Sequence, residues 1–558
     1  MKLISLLLKQ SWPLVILATV LSLINGAANS GLIVLVNTGL NNPGRAGSLI
    51  VWGFVGLCII LPLTKSASEI LVMSISQRAA LELRMRFCGE VLSARLLNLE
   101  NIGTSRLFAA LTADVNTISD ALILIPELLT QITIIVGCLA YLAWLSLTCF
   151  LGVFIFLVLA LCTYQLIVKR GQPRMKLALS ERDGLFNHFS SLTGGIKELK
   201  LHRPRRLSLL KELILPCSET YRRHNIVGSA IYSLGNSWGV TMSFALLGLI
   251  VFGLPLLIHA DRQTLAGYTL IILYMVIHLG VLFSVPPALG RANVALNNLE
   301  SLGQTMAANF GRDDLAGNLE LRRSMKTLEL VGVTHSYYRE AESEFFTLGP
   351  IDLSISSGEL LFLIGGNGSG KTTLAKLIAG LYVPERGDIR LDGRPIVEGN
   401  RDDYRQIFSV VFSDFFLFDR LLGLDSRDLD SRIDHYLSKL QLNHKVHVRD
   451  GIFSTTALSQ GQRKRLALLT SYLEDRCIYV FDEWASDQDP LFKEVFYLQL
   501  LPELKAKGKM VIVISHDERY YCVADRIVKL DYGKIVSDMP IGSQDLQTSD
   551  AYRGNMVS

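Results

Sequence analysis

The stretch that decides the fold is LLFLIGGNGSGKTTLAKLIAG, Leu360 to Gly380. Leu360 to Ile364 are apolar and read as a buried strand, Gly365-x4-Gly370-Lys371-Thr372 follows, and apolar positions then recur at helical spacing. Strand, glycine-rich loop and helix in that order make a phosphate cradle, the P-loop. Loop residues Gly365, Gly366, Asn367, Gly368, Ser369 and Gly370 are expected to turn successive backbone N–H groups inward. The following helix, opened by Lys371, Thr372 and Thr373, offers its positive end to the same anion. Lys371 is expected to bridge the β- and γ-phosphates of ATP, and the Thr372 hydroxyl to hold Mg²⁺.

Outward from the loop, the same half of the chain carries two further strand ends. CIYVFDEWASDQDP (Cys477 to Pro490) places Asp482 and Glu483 at the tip of a buried apolar run. Parallel α/β sheets bind their ligands at that end. Asp482 is expected to orient the Mg²⁺ shell through water, and Glu483 to polarise an attacking water. MVIVISHDERY (Met510 to Tyr520) ends another strand on His516, expected at the γ-phosphate. Between these lies TTALSQGQRKRLALL (Thr455 to Leu469), in which Ser459 is a good helix N-cap.

The first half of the chain belongs to a different solvent. Of 558 residues, 50% are hydrophobic and 19% charged, with a mean hydropathy of +0.34; that balance points to the bilayer. Segments 10–44, 46–64, 128–168, 226–260 and 263–290 contain no Asp, Glu, Lys or Arg. A spanning helix needs roughly 20 apolar residues. The run 128–168 holds two, turning near AWLSLT, so six spans are expected. The apolar run after Lys9 continues through GLIVLVNTGL, past the length of a signal-peptide core, and is expected to be retained as a span.

Basic residues follow the second span (Arg78, Arg84, Arg86, Arg95, Arg106) and the fourth (Lys169, Arg170, Arg174, Lys176), whereas the opposite loops carry only Arg45, then Asp261 and Arg262. Both termini and both long loops are therefore expected in the cytoplasm. The expected domains are a transmembrane domain over 1–305, a linker over 306–326 and a nucleotide-binding domain over 327–558. The fold class is thus a multi-pass α-helical transmembrane domain fused to an α/β P-loop NTPase. The net charge of +4 offers no basic stripe for nucleic acid. The eight cysteines form no CxxC pair, which disfavours thiolate metal sites.

P-loop, Asp-Glu strand end, His516 and LSQGQ between them, in this order, resemble the ATP-binding cassette (ABC) ATPase domain. The resemblance implies that Leu458, Ser459, Gln460, Gly461 and Gln462 form a signature that caps ATP held by a second chain, so that the working unit is a homodimer. It also implies adenine stacking by Tyr337 in VTHSYY, and an interface loop holding Ser486 and Asp489. Two positions depart from the family: Ser413 in VVFSDFFLF stands where a Gln usually binds Mg²⁺, and Gln460 where Gly is usual. Ser413 reaching the metal through water, or its neighbour Asp414, is left to supply that ligand.

Six spans and one ATPase domain resemble an ABC exporter half-transporter. Within that family, Thr104–Ile118 and Leu192–Leu201 match loops that carry short coupling helices. GELLFLIGGNGSGKTTL, LSQGQRKRLALL and FDEWASDQDPLFKEVFY closely resemble bacterial cyclic-peptide and siderophore exporters, those of microcin, pyoverdine precursor and syringomycin-type lipopeptide. The Ser for Gln and the Trp after Asp-Glu recur in that group. The resemblance implies a peptide or siderophore substrate, cofactors ATP and Mg²⁺, the bacterial inner membrane and contact with lipid. It leaves open a lipid or lipopeptide flippase, a multidrug exporter and an outer-membrane partner. Glu127 and His278 lie among apolar neighbours and are candidates for a cavity wall, whereas Lys65 and Glu69 are expected in cytoplasmic helix extensions.

Overall fold

The computed structural model describes residues 2–41, 48–253, 262–307, 325–339, 344–424 and 429–541. Arg45, Asp261, the greater part of the expected linker and the C-terminal tail lie outside the described residues. The chain divides into two compact units, Met1–Ala94 with Asn98–Asn309 and Arg95–Leu97 with Phe310–Ser558.

The first unit is built on six helices long and apolar enough to cross a membrane: α1 Trp12–Leu40, α2 Ser48–Ser93, α3 Thr104–Leu145, α4 Phe150–Gly194, α5 Arg203–Gly253 and α6 Leu265–Met306. Helices serve here because lipid offers no partner to backbone N–H and C=O groups. α2 has 46 residues, which at about 1.5 Å per residue is roughly twice the ~30 Å hydrocarbon core. Most of these helices therefore extend past the bilayer. The turn between α3 and α4 falls where AWLSLT predicts it, at extended Ser146. α4 packs along α5, α1 along α2 and α3, and α6 against α3 and α5.

Apolar packing does not discriminate protein from lipid, so small and polar residues hold this bundle. Gly235 and Gly239 are buried on α5. A Cβ on Gly239 would stand 2.5 Å from the Phe283 ring of α6, so only glycine allows this approach. Hydrogen bonds cross between helices at Ser22–Ser68 (3.0 Å), Ser76–Ser119 (2.9 Å) and Asn25–Thr64 (2.9 Å).

Short helices occupy Leu96–Ile102, between α2 and α3, and Ile196–Leu201, between α4 and α5. The second lies inside the expected Leu192–Leu201 loop. The first lies upstream of the expected Thr104–Ile118 stretch, which instead forms the opening turns of α3. Gly103, at φ +82°, separates the two helices. The polar residues of TSRLFAALTADVNTI mask a buried helical stripe of Ala110, Val115 and Ile118.

The second unit contains a four-stranded antiparallel sheet in the order β2-β1-β4-β5, from β1 Thr327–Arg339, β2 Glu344–Ser356, β4 Arg386–Leu391 and β5 Arg394–Pro395. Its main sheet has the order β12-β11-β3-β10-β9-β6, from β3 Leu360–Ile364, β6 Phe408–Val411, β9 Ile478–Asp482, β10 Met510–Ile514, β11 Arg526–Asp531 and β12 Lys534–Pro540. The dipeptides Val448–Arg449 and Ile452–Phe453 form a small hairpin, β7–β8. β6, β9, β10, β3 and β11 run parallel. Both faces of β3, β9 and β10 are covered, so these strands read as continuous apolar runs. One face (Phe362, Phe481, Val513) meets Leu466 and Leu469 of α9 Gln460–Glu474. The other (Leu363, Val480, Ile512) meets Leu374 and Leu377 of α7 Lys371–Ile378. α8, Leu429–Lys439, completes the first layer through Ile433 and Leu437.

Gly239→Val should lower the stability of the membrane unit by about 1–3 kcal/mol through overpacking against Phe283. A reduced melting temperature of the detergent-solubilised chain checks this, and an unchanged one would refute the packing account.

Candidate active site

The C-terminal ends of β3, β9 and β10 open side by side, and each delivers a loop with expected site residues. After β3, Gly365 adopts φ +147°, and a Cβ there would sit 2.1 Å from the Leu530 carbonyl oxygen. No other residue type fits at that close approach. Gly366, Asn367 and Gly368 are exposed at the crown, whereas Ser369, Gly370, Lys371 and Thr373 are buried. Gly370 is the N-cap of α7, at φ +101°. The Lys371 ammonium folds back to donate to the carbonyls of Gly365 and Gly366, both at 3.0 Å. Burial holds its pKa below the ordinary lysine value, opposed by the carboxylates of Glu483 and Asp482.

Asp482, at the tip of β9, is fully buried. Its Oδ2 accepts from the Thr372 hydroxyl at 3.0 Å and from the Ser413 hydroxyl at 3.4 Å. Its Oδ1 has no partner, nor has the buried Ser369 hydroxyl. Burial raises the Asp482 pKa, the Thr372 hydrogen bond lowers it and the Glu483 charge raises it again. Hydroxyl, carboxylate and hydroxyl are hard oxygen donors of the kind Mg²⁺ takes. Among the described residues no three His, Cys, Asp or Glu side chains converge to cage an ion alone. The set therefore fits Mg²⁺ completed by substrate phosphates, with the unpartnered Asp482 Oδ1 as its open position. Ser413 and Asp414 are both exposed, and the Ser413 hydroxyl is the one that reaches Asp482.

Glu483 follows at φ +49° and donates its N–H to the Ile514 carbonyl at 3.0 Å. His516, expected at the phosphate, lies 3.3 Å from the Glu483 carboxylate, so one ring nitrogen pairs with the expected base. Tyr337 and Phe346 rings lie 5.5 Å apart. Phe346 borders the P-loop: a Cβ on Gly370 would come within 3.2 Å of it. Nothing in the sequence around Phe346 marks it for the site, and only the β1–β2 register, Tyr337 opposite Phe346, reveals it.

The signature stands apart from the P-loop of its own chain: among the described residues no hydrogen bond joins Ser459 to it. Ser459 and Gln462 form a reciprocal capping box at the start of α9. Leu458 is half-buried, and Ser459 and Gln460 are exposed. Gly461 packs so closely that a Cβ would meet the Asp487 carbonyl oxygen at 2.7 Å. Asp489 caps the next helix through the Phe492 N–H and pairs with Arg465.

In the membrane unit, Glu127 and His278 line one cavity of about 470 Å³, together with Asn25, Asn29, Gln131, Lys65 and Glu69. Lys65 and Glu69 border this space while both remain exposed, and they stand 3.9 Å apart, one helical turn from each other. His278 Nδ1 lies 2.6 Å from the Gln131 side-chain oxygen, and its ring meets the Tyr274 ring edge-on at 4.6 Å.

A chain with this fold and this nucleotide constellation is an ATP-driven membrane transporter. Residues 348–486 match the family described as ABC transporter, and residues 14–203 the one described as ABC transporter transmembrane region. The chain is 36% identical over 545 residues to the "ATP-binding protein SyrD" of Pseudomonas syringae pv. syringae, covering 96% of each. It is 26% identical over 511 residues to the "ATP-dependent lipid A-core flippase" of Burkholderia pseudomallei (strain 1710b), covering 86% of this chain and 82% of the other. Its fold is that of a bacterial Atm1-family ABC exporter solved with ATP bound (TM-score 0.79, 14% identity, 98% and 100% of the two chains).

The chain belongs to the ABC transporter family. It is an exporter in which one chain fuses six spans to a nucleotide-binding domain, and it couples ATP hydrolysis to transport. It is a multi-pass inner-membrane protein with that domain on the cytoplasmic side.

Asp482→Asn removes a buried charge while keeping the side chain's shape. A raised folded-state pKa means that the native carboxylate costs stability above that pKa, and that the cost vanishes as pH falls below the unfolded value near 3.8. The metal-free variant should therefore melt higher at neutral pH, with the gain shrinking in acid, and Mg²⁺-dependent ATPase should be lost. Scanning calorimetry against pH checks this, and a lower melting point at neutral pH would refute it.

Proposed function

We propose that two copies of this chain export a peptide-type substrate, a cyclic or lasso peptide, a siderophore or its precursor, across the bacterial inner membrane by alternating access. The observation that carries the substrate class is the cavity in the membrane unit. It combines amide groups (Asn25, Asn29, Gln131) with both signs of charge (Lys65, Glu69, Glu127) on apolar walls. Such a lining suits an amide-rich, partly charged molecule, and the motif resemblance to peptide and siderophore exporters supports the same class. The similarity to proteins named lipid A-core flippases supports a second reading, a lipid or lipopeptide flippase.

In this reading ATP lies against the P-loop of one copy, with Lys371 on its phosphates and Tyr337 beside the adenine, and Ser459 of the other copy closes the site. Thr372, Asp482 through water and Ser413 would hold Mg²⁺, which would supply neutralisation of the phosphate charge. Glu483 accepts the proton of the attacking water, and His516 orients that carboxylate. Gly365 to Thr373 wrap the anion with backbone donors, and Leu458 to Gln462 complete the shell from across the dimer, with Ser486 and Asp489 beside it. Closure of the pair turns the cavity outward, the two short cytoplasmic helices carry the motion, and hydrolysis resets it. Both termini lie in the cytoplasm.

Glu483→Gln should lower turnover by at least about 10²-fold while ATP stays bound in a closed dimer. Retained radiolabelled ATP after gel filtration checks this, and phosphate release at the wild-type rate would refute the assignment. In inside-out lipid vesicles, a peptide or siderophore should stimulate ATPase and accumulate only with ATP. Glu127→Gln and His278→Ala should weaken both responses. Stimulation by lipid A-type lipid alone, with both variants unaffected, would favour the flippase.

A further inference from the structure

We propose that Lys464 is a positioning residue of the ATPase, holding Glu483 of its own chain and the signature helix as one block. Lys464 lies in α9, five residues after Ser459, and is only 2% exposed. Its ammonium donates to the Glu483 carbonyl oxygen at 3.0 Å and the Ser486 hydroxyl at 3.0 Å, and meets the Asp487 carboxylate at 2.7 Å. An ammonium has three hydrogens, and here each has one acceptor. A buried charge satisfied so completely fixes the positions of its partners, because any displacement leaves it unpaired.

What it fixes is an uncommon backbone. Glu483 carries a side chain at φ +49°, a region such residues enter rarely and hold only when their surroundings over-determine it. The Ile514 carbonyl takes the Glu483 N–H, and Lys464 takes the Glu483 carbonyl. The turn is thereby held from both sides, with the catalytic carboxylate aimed off it. The reverse side of the block is tied equally: the Trp484 indole donates to the Lys464 carbonyl at 2.9 Å, and the Gln488 side chain donates to the Gly461 carbonyl at 3.0 Å. Trp484 is itself stacked on Phe496 at 4.3 Å. The helix that begins with Ser459 therefore cannot shift without shifting the turn that bears Glu483.

Resting on the shared-site reading, Ser459 serves the partner's ATP while Glu483 serves its own, so Lys464 links the two sites of the dimer through a single chain.

The test begins with homodimers of the full chain carrying Lys464→Met. The expected result is a fall in kcat of about 10- to 100-fold, the scale of a small misplacement of a catalytic group, with KM for ATP within about twofold of wild type, since no substrate contact is removed. Wild-type kcat in Lys464→Met overturns the proposal, as does a loss confined to KM. Should that variant fail to fold, Ser486→Ala removes one acceptor and should lower kcat severalfold in the same direction; no loss there overturns it too. Heterodimers separated by two affinity tags then localise the effect. Glu483→Gln in one copy leaves a single working site. Lys464→Met should slow that site from either copy, through Glu483 in the working copy and through Ser459 in the other. Slowing from the working copy alone overturns the link between sites. As a control, Ser459→Arg in the Glu483→Gln copy should abolish the remaining turnover. If it does not, the shared-site reading fails, and the homodimer kcat still decides the role of Lys464.

Discussion

The nucleotide-binding domain buries a carboxylate that it only half satisfies, and much of the surrounding structure follows from that. Asp482 takes hydrogen bonds from Thr372 and Ser413 on one oxygen and nothing on the other. Burying an unpaired polar oxygen is unfavourable, so the arrangement is understandable only if something outside the chain completes it. A divalent cation carried in by phosphates would answer that need, and the P-loop would supply the surface on which such phosphates rest. The strand order brings the two together: β10 lies between β3 and β9, so the loops at their ends converge on one crevice.

The same order keeps the signature helix on the Glu483 side of the domain. α9 is bonded through Lys464, Gly461 and Arg465 to the turn after β9, while its exposed start at Ser459 points at no phosphate cradle of its own chain. In the proposed reading the domain has a cradle without a cap and a cap without a cradle, and pairing two copies would supply both. The membrane half adds what an isolated ATPase lacks: long helices that run past any bilayer, and a cavity carrying Glu127, His278, Lys65 and Glu69.

How much of this is legible in the sequence depends on whether the signal is local. Leu360–Ile364, the glycines after it and the Asp482–Glu483 strand tip are contiguous, so their roles in the fold can be read from neighbours alone. The six spans are equally plain, because a charge-free apolar run of roughly 20 residues is the length that crosses a bilayer. The Ser459–Gln462 capping box is a matter of four residues and is readable. Lys464, whose three acceptors sit in another segment, is not: a lysine in QRKR looks like a solvated face until Glu483, Ser486 and Asp487 fold against it. That the Ser413 hydroxyl reaches Asp482 likewise shows only once the chain is folded. The first short helix falls upstream of its expected place because the polar surface of Thr104–Ile118 hides a buried stripe, although Gly103, which ends that helix, is visible in the sequence.

The most direct test of the half-satisfied carboxylate is proton release on nucleotide binding. Burial has raised the Asp482 pKa, and a cation bound beside it would lower it again, because a nearby positive charge favours the ionised form. Titrating preformed Mg·ATP into the protein at pH values stepped down from neutral toward the ordinary aspartate value near 3.8, in buffers of different ionisation enthalpy, measures that release by calorimetry. A fraction of a proton released by the wild type and absent from Asp482→Asn is the predicted result; equal release from both, with ATP still bound, would contradict the account.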